Sequence, residues 1–459
     1  MTGSELDEST NIDRRKDYRV RKSLRYSVTE GALAAAMVGF GESFFVAYAL
    51  LLRASTLQVG LLSALPQALG ALLQFFSNDL IRLFGSRRRF VVSGALLQAL
   101  MYLPVALVFF FGQFRVWHLL LFTCFYFAFG MMVNPAWNSW MGDLVVENRR
   151  GAYFGRRSKV TSTAAFLSLI AGGWLLGRFE GGSMEMQYQG FVLIFLLALA
   201  CRLISVLFLK RQFEPAYRVS KEAQPGFLKF LKNPEFGNYR SFVLYLGFMN
   251  FAVFISGPFF TPYMLHDLKM DYFTFTLVNG TSILVKVLSL PVWGRAVDRF
   301  GARRVMSLAG YLMPLVPVLW LFSGKVSWLI GVQIYSGFIW AAFEIATVSF
   351  IFDVTSPEKR VTGMAYYNMF SGIALISGAL AGSLIVRFDV LFPSTYMLAF
   401  LVSGLLRFGA SVLFLPRLSE VRPVEAIGYP TLFFKVVFSV PTISLLYELI
   451  PFQRRELDE

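Results

Sequence analysis

Five ionisable side chains fall inside long apolar stretches of this 459-residue sequence: Glu42, Arg202, Lys286, Glu344 and Arg407. A charge near the middle of a membrane-crossing helix costs about 3 kcal/mol or more to insert, so each of the five needs a partner or a task. Burial in hydrocarbon disfavours the charged form of a carboxyl or an amine, which suits either group to proton exchange near neutral pH. Glu42 and Glu344 are thus candidates for proton coupling, and Lys286 for holding an anionic group of a substrate. A structural reading stands beside this one. Glu42 with Arg202, and Glu344 with Arg407, would neutralise each other inside each half of the chain, and a bridge from Lys286 to either glutamate would only tie helices together. Arg202 and Arg407 precede a repeated SVLFL, at Ser205 and Ser411, and read as structural intramembrane charges.

Polar residues at helical spacing surround these charges. Asn279, Ser282, Lys286 and Ser289 share one helix face, as do Ser63, Gln67, Gly70 and Gln74. A third stretch carries Asn134, Pro135, Trp137 and Asn138, where proline removes a backbone donor and frees a carbonyl. A fourth carries Gln333, Trp340, Glu344 and Thr347. Glu42, Lys286, Glu344, Asn134, Asn138, Gln67, Asn279 and Trp340 are therefore the expected coupling and substrate-binding residues. No catalytic constellation, cofactor or metal site is expected. Cys124 and Cys201 lie in apolar runs without His or acidic neighbours at ligand spacing, and His118 and His266 lack any hydrolase or metalloprotease motif around them. A phosphate-cradling G-x-x-x-x-G-K-[ST] loop is also missing from the sequence, which argues against ATP-driven work.

The elements that must position these residues are membrane helices. The chain is 56% hydrophobic and only 15% charged, with a mean hydropathy of +0.58, well outside the composition of a soluble domain. Twelve apolar runs of roughly twenty residues are expected, six within 28–209 and six within 241–415, the ninth at 305–323. Of the 43 Lys and Arg, six (Arg53, Arg115, Arg178, Lys269, Lys325 and Arg387) lie on one side of these runs and three lie within them. The rest share the side of the N-terminus, which places both termini in the cytoplasm of an inner or plasma membrane. This topology also explains the net charge of +15 without nucleic acid. A basic segment at 1–27 is expected to meet anionic lipid head groups. It lacks an apolar h-region, so no cleavable signal peptide is expected. The connector 210–240 should carry a short interfacial helix, and the tail 416–459 a kinked amphipathic helix on the cytoplasmic surface.

The two halves repeat. GESFFVAYAL at Gly41 answers SGPFFTPYML at Ser256, AGGWLLGRF at Ala171 answers AGSLIVRF at Ala381, and the spacing Asp143–Arg150 equals Asp353–Arg360. The loop GRAVDRFGARR, from Gly294, answers the loop that ends in Gly85, Arg87 and Arg88. In this loop the sequence resembles the major facilitator superfamily, whose signature G-x-x-x-D-R-x-G-x-R-R is matched in full by Gly294, Asp298, Arg299, Gly301, Arg303 and Arg304. The first-half copy departs from it, with Asn78 and Arg82 at the glycine and aspartate positions.

The resemblance implies an all-α membrane protein of two six-helix bundles rocking about a central site. It also implies that Asp298, Arg299 and Arg303, with Asp353 and Arg360, hold a cytoplasmic gate, the better-preserved latch being in the second half. The expected function is secondary active transport of a small organic solute, proton-coupled and anionic or amphipathic, by a monomer. The competing readings are a drug or lysolipid efflux carrier, and a membrane receptor that does not transport. A membrane enzyme is a further class, to which the two loop histidines give no support.

Overall fold

A computed structural model of the chain describes residues 3–146, 150–215, 237–354, 360–388, 392–421, 424–425 and 427–438. The described residues are helical with short connections. We number the helices α1 (Tyr18–Leu51), α2 (Thr56–Phe84), α3 (Arg87–Phe110), α4 (Gly112–Leu144), α5 (Tyr153–Gly177), α6 (Met184–Lys210), α7 (Gly237–Asp267), α8 (Tyr272–Phe300), α9 (Ala302–Leu312 with Leu315–Leu319), α10 (Val326–Ile351), α11 (Arg360–Ile385), α12 (Thr395–Arg417) and α13 (Tyr429–Phe438). Ten of these are long and apolar enough to cross a bilayer, and α11 contains a shorter apolar helix, Phe370–Ile385. The expected ninth run differs, because Pro314 and Pro317 divide α9 into two short pieces. The helix containing α1 begins at Gly3, so the basic lead is helical. The expected connector helix near 227–236 and the tail beyond 438 lie outside the described residues.

Polar side chains set the helix starts. Ser55 and Gln58 form a reciprocal capping box at α2, and Ser86 and Ser183 accept backbone N–H groups at the starts of α3 and α6. Asp271 accepts the Thr274 N–H at 2.8 Å to open α8. The repeated GESFF and SGPFF segments mark matched breaks, since α1 and α7 each pass through one 3₁₀ turn, at Glu42–Phe44 and Gly257–Phe259. Sequence self-similarity here records a shared kink, with Phe44 and Phe259 fully buried behind it.

The chain forms two compact units, each discontinuous in sequence. The first comprises 1–224, 254–280 and 368–399. Within it α1 packs along α5 and α6, and α2 along α4. Its core is aromatic: Phe45, Tyr48, Tyr102, Tyr126, Phe191 and Phe195 are almost wholly buried, with ring centroids about 5 to 6 Å apart. The same unit joins parts of both repeats on the side opposite the basic loops. There the Ser383 hydroxyl on α11 donates to the Thr56 carbonyl at 3.4 Å, and the Tyr272 N–H donates to the Glu180 carboxylate at 3.0 Å. The second unit comprises 225–253, 281–367 and 400–459. Its core includes Phe242 against Phe350 and Trp293 against Phe338.

Candidate functional site

The first unit contains a polar cavity of about 410 Å³ between α1, α3, α4, α5 and α6, lined among others by Glu42, Gln98, Asn134, Arg157 and Arg202. A second space of about 370 Å³ shares Asn134, Arg157 and Arg202 with it and adds Glu30, Trp137 and Asn138. Of the expected site residues, Glu42, Asn134, Asn138 and Arg202 are thus gathered around one region. Glu42 is not paired with Arg202; its carboxylate accepts the Tyr126 hydroxyl at 3.0 Å. Arg202 lies instead 3.6 Å from Glu30, which also takes Arg157 at 3.2 Å and the Ser205 hydroxyl at 3.3 Å. The Arg157 guanidinium carbon lies over Trp137, 4.3 Å from the ring centroid.

Glu30 and Arg157 are functional candidates that sequence reasoning missed, because they stand at the rims of the expected spans, where a charge needs no special explanation. The helices run further than the hydropathy, with α1 already formed at Tyr18 and α5 at Tyr153, so both residues lie well inside helices. The available signal was the pairing itself, an acid and a base at corresponding depths on α1 and α5.

In the second unit the Lys286 amine donates to Glu344 at 3.0 Å, joining α8 to α10. Lys286 therefore has an acid of its own half, whereas Arg407 donates to the Ser403 hydroxyl at 3.2 Å and the Met313 carbonyl at 3.5 Å. Gly337 makes the Lys286 pair reachable: a β-carbon there would collide with the Ser282 carbonyl and stand 3.0 Å from the Lys286 backbone nitrogen. Only glycine lets the two backbones cross so closely. Trp340 is one turn before Glu344 and half-buried. Gln67 and Asn279 donate within their own helices, to the Ser63 and Phe275 carbonyls.

The basic loops are built alike. Gly85 and Gly301 both have positive φ, 64° and 91°, which accounts for the glycine that the two copies share. After each glycine a carboxylate from beyond the sixth or twelfth helix caps the next helix: the Arg87 N–H donates to Glu214 at 2.7 Å, and the Arg303 N–H to Glu420 at 3.0 Å. Glu214 and Glu420 both stand nine residues past the start of SVLFL. In the first half Arg87 is fully buried and donates to Asp143 at 2.7 Å, while Arg88 reaches the Gln212 carbonyl. In the second half Arg299 pairs with Glu425 at 2.6 Å and Arg304 donates to the Glu425 carbonyl. The first-half loop, although its motif is eroded, is as firmly held as the second. Gly294 is half-buried and Asp298 exposed. Asp353 lies in the last turn of the helix that contains α10, which runs on to Val354, and the side chains of Arg150 and Arg360 lie outside the described residues.

Comparison with known proteins bears on this arrangement. The family model of the Major Facilitator Superfamily matches residues 31–263 and 243–447. Solute carrier family 22 member 18 of Rattus norvegicus is 28% identical over 229 residues, 42% of this chain and 53% of that protein. Solute carrier family 67 member A1 of Homo sapiens is 27% identical over 144 residues, 30% of this chain and 32% of that protein. The matched part is thus about half or less of the curated relatives. Among solved structures, a D-xylose–proton symporter aligns with a TM-score of 0.67 at 12% identity, covering 88% of this chain and 99% of that one. A point mutant of the nucleoside transporter NupG aligns at 0.66 and 14%, covering 87% and 100%. A bacterial homologue of the human lysosomal transporter Spinster aligns at 0.58 and 16%, covering 88% and 99%.

Proposed function

From the premise that the chain belongs to the Major Facilitator Superfamily, we propose that it is a secondary active transporter that moves a small organic solute by alternating access, with its N-terminus and basic loops in the cytoplasm. The observation that carries this reading is the cavity lined by Glu42, Gln98, Asn134, Arg157 and Arg202. About 410 Å³ lies within the range of small-molecule sites, and a few converging polar groups on an apolar wall are what orients a ligand. Charged groups inside membrane helices are costly, so their presence around a cavity marks a candidate pathway. The contacts of Thr56 with Ser383 and of Glu180 with Tyr272 join the two repeats directly, which fits a carrier whose halves move against each other.

Glu42 is the proposed proton carrier, since it reaches the cavity and its one described partner is a neutral hydroxyl. Flux into proteoliposomes tests both parts. Saturable uptake that is driven by an imposed proton gradient, and that loses this drive in Glu42→Gln while exchange persists, is the expected result. Uptake without saturation across a solute panel overturns the transporter reading, and unchanged proton drive in the variant removes Glu42 from coupling.

A further inference from the structure

The place where the two spaces of the first unit meet is lined by two guanidinium groups that share a single bonded carboxylate. Arg157 and Arg202 both line each space, and one carboxylate, Glu30, serves both guanidinium groups. Glu42 reaches only the larger space, where its carboxylate accepts the Tyr126 hydroxyl. Arg202 is 8% exposed, and its Nε has no hydrogen-bond partner among the described residues. A buried donor left unsatisfied is unfavourable, the more so on a charged group, so such an atom beside a cavity marks a ligand position. Arg157 is preset for the same task. The Trp137 ring lies against it, the Ser27 carbonyl takes its Nε at 3.2 Å, and Gly31 leaves room for it, since a β-carbon there would stand 2.5 Å from Nη2. Planar guanidinium groups fixed in this way suit a carboxylate, which can accept two parallel hydrogen bonds. The larger space is also lined by Met37, Phe127 and Met131, an apolar wall for a ligand body.

We propose that Arg157 and Arg202 form an anion-binding subsite, and that the solute is a small organic monoanion whose carboxylate lies between them and whose apolar body extends along Met37, Phe127 and Met131. The inference rests on the transporter reading above and names its substrate class. With Glu42 on the wall of the same space, two guanidinium groups and Glu30 leave one positive charge to be met when Glu42 carries its proton, which favours a monoanion over a dianion.

The test uses the full-length protein in detergent and a matched series of probes: 4-phenylbutyrate, its neutral amide, the corresponding amine and the corresponding phosphate monoester. Thermal unfolding of the parent should rise with 4-phenylbutyrate and stay unchanged with the amide and amine. An equal rise with the amide or amine overturns the subsite, and tighter binding of the phosphate overturns the monoanion assignment. Arg202→Gln should abolish the carboxylate response, and Glu30→Gln, which frees both guanidinium groups, should tighten carboxylate binding several-fold. Retention of the response in folded Arg202→Gln overturns the assignment. If that variant fails to fold, Arg202→Gln combined with Glu30→Gln, which removes both charges, gives the same readout. Proteoliposome flux separates the two levels: saturable transport of some solute that 4-phenylbutyrate does not inhibit keeps the transporter and removes the anion site. Binding of 4-phenylbutyrate by a protein that moves nothing keeps the site and removes the transporter.

Discussion

Lys286 and Glu344 illustrate how much a single contact can decide. Their side chains are 35% and 52% exposed, and where that face lines a water-filled path, as the alternating-access reading requires, a pair that open contributes only about 0–1 kcal/mol. Holding the fold together is therefore a poor explanation for placing two charges on membrane helices. If the pair works in the transport cycle, Lys286→Ala and Glu344→Gln should each lower transport at least about tenfold while changing stability by less than about 1 kcal/mol. The exchanged pair, Lys286→Glu with Glu344→Lys, separates this from a structural bridge: transport should stay low in the exchanged protein, and recovery to parental flux would assign the pair to scaffolding. Arg407 is a different case, fully buried among hydroxyl and carbonyl acceptors, and its replacement should affect folding before transport.

At the scale of elements, the informative feature is the carboxylate that caps the helix after each basic loop. Glu214 accepts both the Ser86 hydroxyl and the Arg87 N–H, while the buried Arg87 guanidinium lies 3.9 Å from it and 2.7 Å from Asp143. Helix N-termini leave N–H groups unsatisfied and carry partial positive charge, so a carboxylate there is stabilised twice over. Glu214→Ala removes a cap and weakens the neutralisation of a buried cation. A loss of roughly 2–4 kcal/mol in thermal or denaturant unfolding is expected. Glu420→Ala, where Arg303 is only half-buried, should cost about 1 kcal/mol. Equal losses in the two halves would show that burial of Arg87 does not matter. The Arg299–Glu425 pair is more exposed, 63% and 48%, and its removal should barely move stability. That exposure leaves Arg299 and Asp298 available for the gate role that the family resemblance implies.

For the whole molecule, the joining of the repeats on the side opposite the basic loops has a titratable component. Glu180 lies in the connection between α5 and α6, and its acidity is lowered, its pKa raised, chiefly by burial; the Tyr272 N–H partly offsets this, and nearby Asp271 adds to it. A carboxyl whose folded pKa exceeds its unfolded one binds more protons when folded, so its contribution to stability falls as pH rises from the ordinary carboxylate value through the raised one. The parent should therefore lose stability relative to Glu180→Gln over that interval, and unfolding curves of both proteins across mildly acidic pH check it. A difference that stays constant, or that grows in the opposite sense, contradicts the burial of this carboxyl.

What the sequence determined by itself follows from rules that act locally. Hydropathy marks most of the helices that are long and apolar enough to cross a membrane, the distribution of Lys and Arg gives an expected side for each loop, and ordered repeats give a duplicated plan; the shared kinks at Glu42–Phe44 and Gly257–Phe259 were written in matched segments. The five intramembrane charges were equally visible, because hydrocarbon makes any charge conspicuous. Their partners were not. Which acid meets which base depends on how closely two helices cross and which faces they turn to each other, and that is set by packing. Gly337 lets α8 approach α10 and so gives Glu344 to Lys286 instead of Arg407, and Gly31 admits Arg157 against α1 beside Glu30. Glu30 and Arg157 looked like ordinary rim charges until the tertiary structure placed them with Arg202 around one cavity, because only close packing in three dimensions decides whether a charge faces water, lipid or another charge.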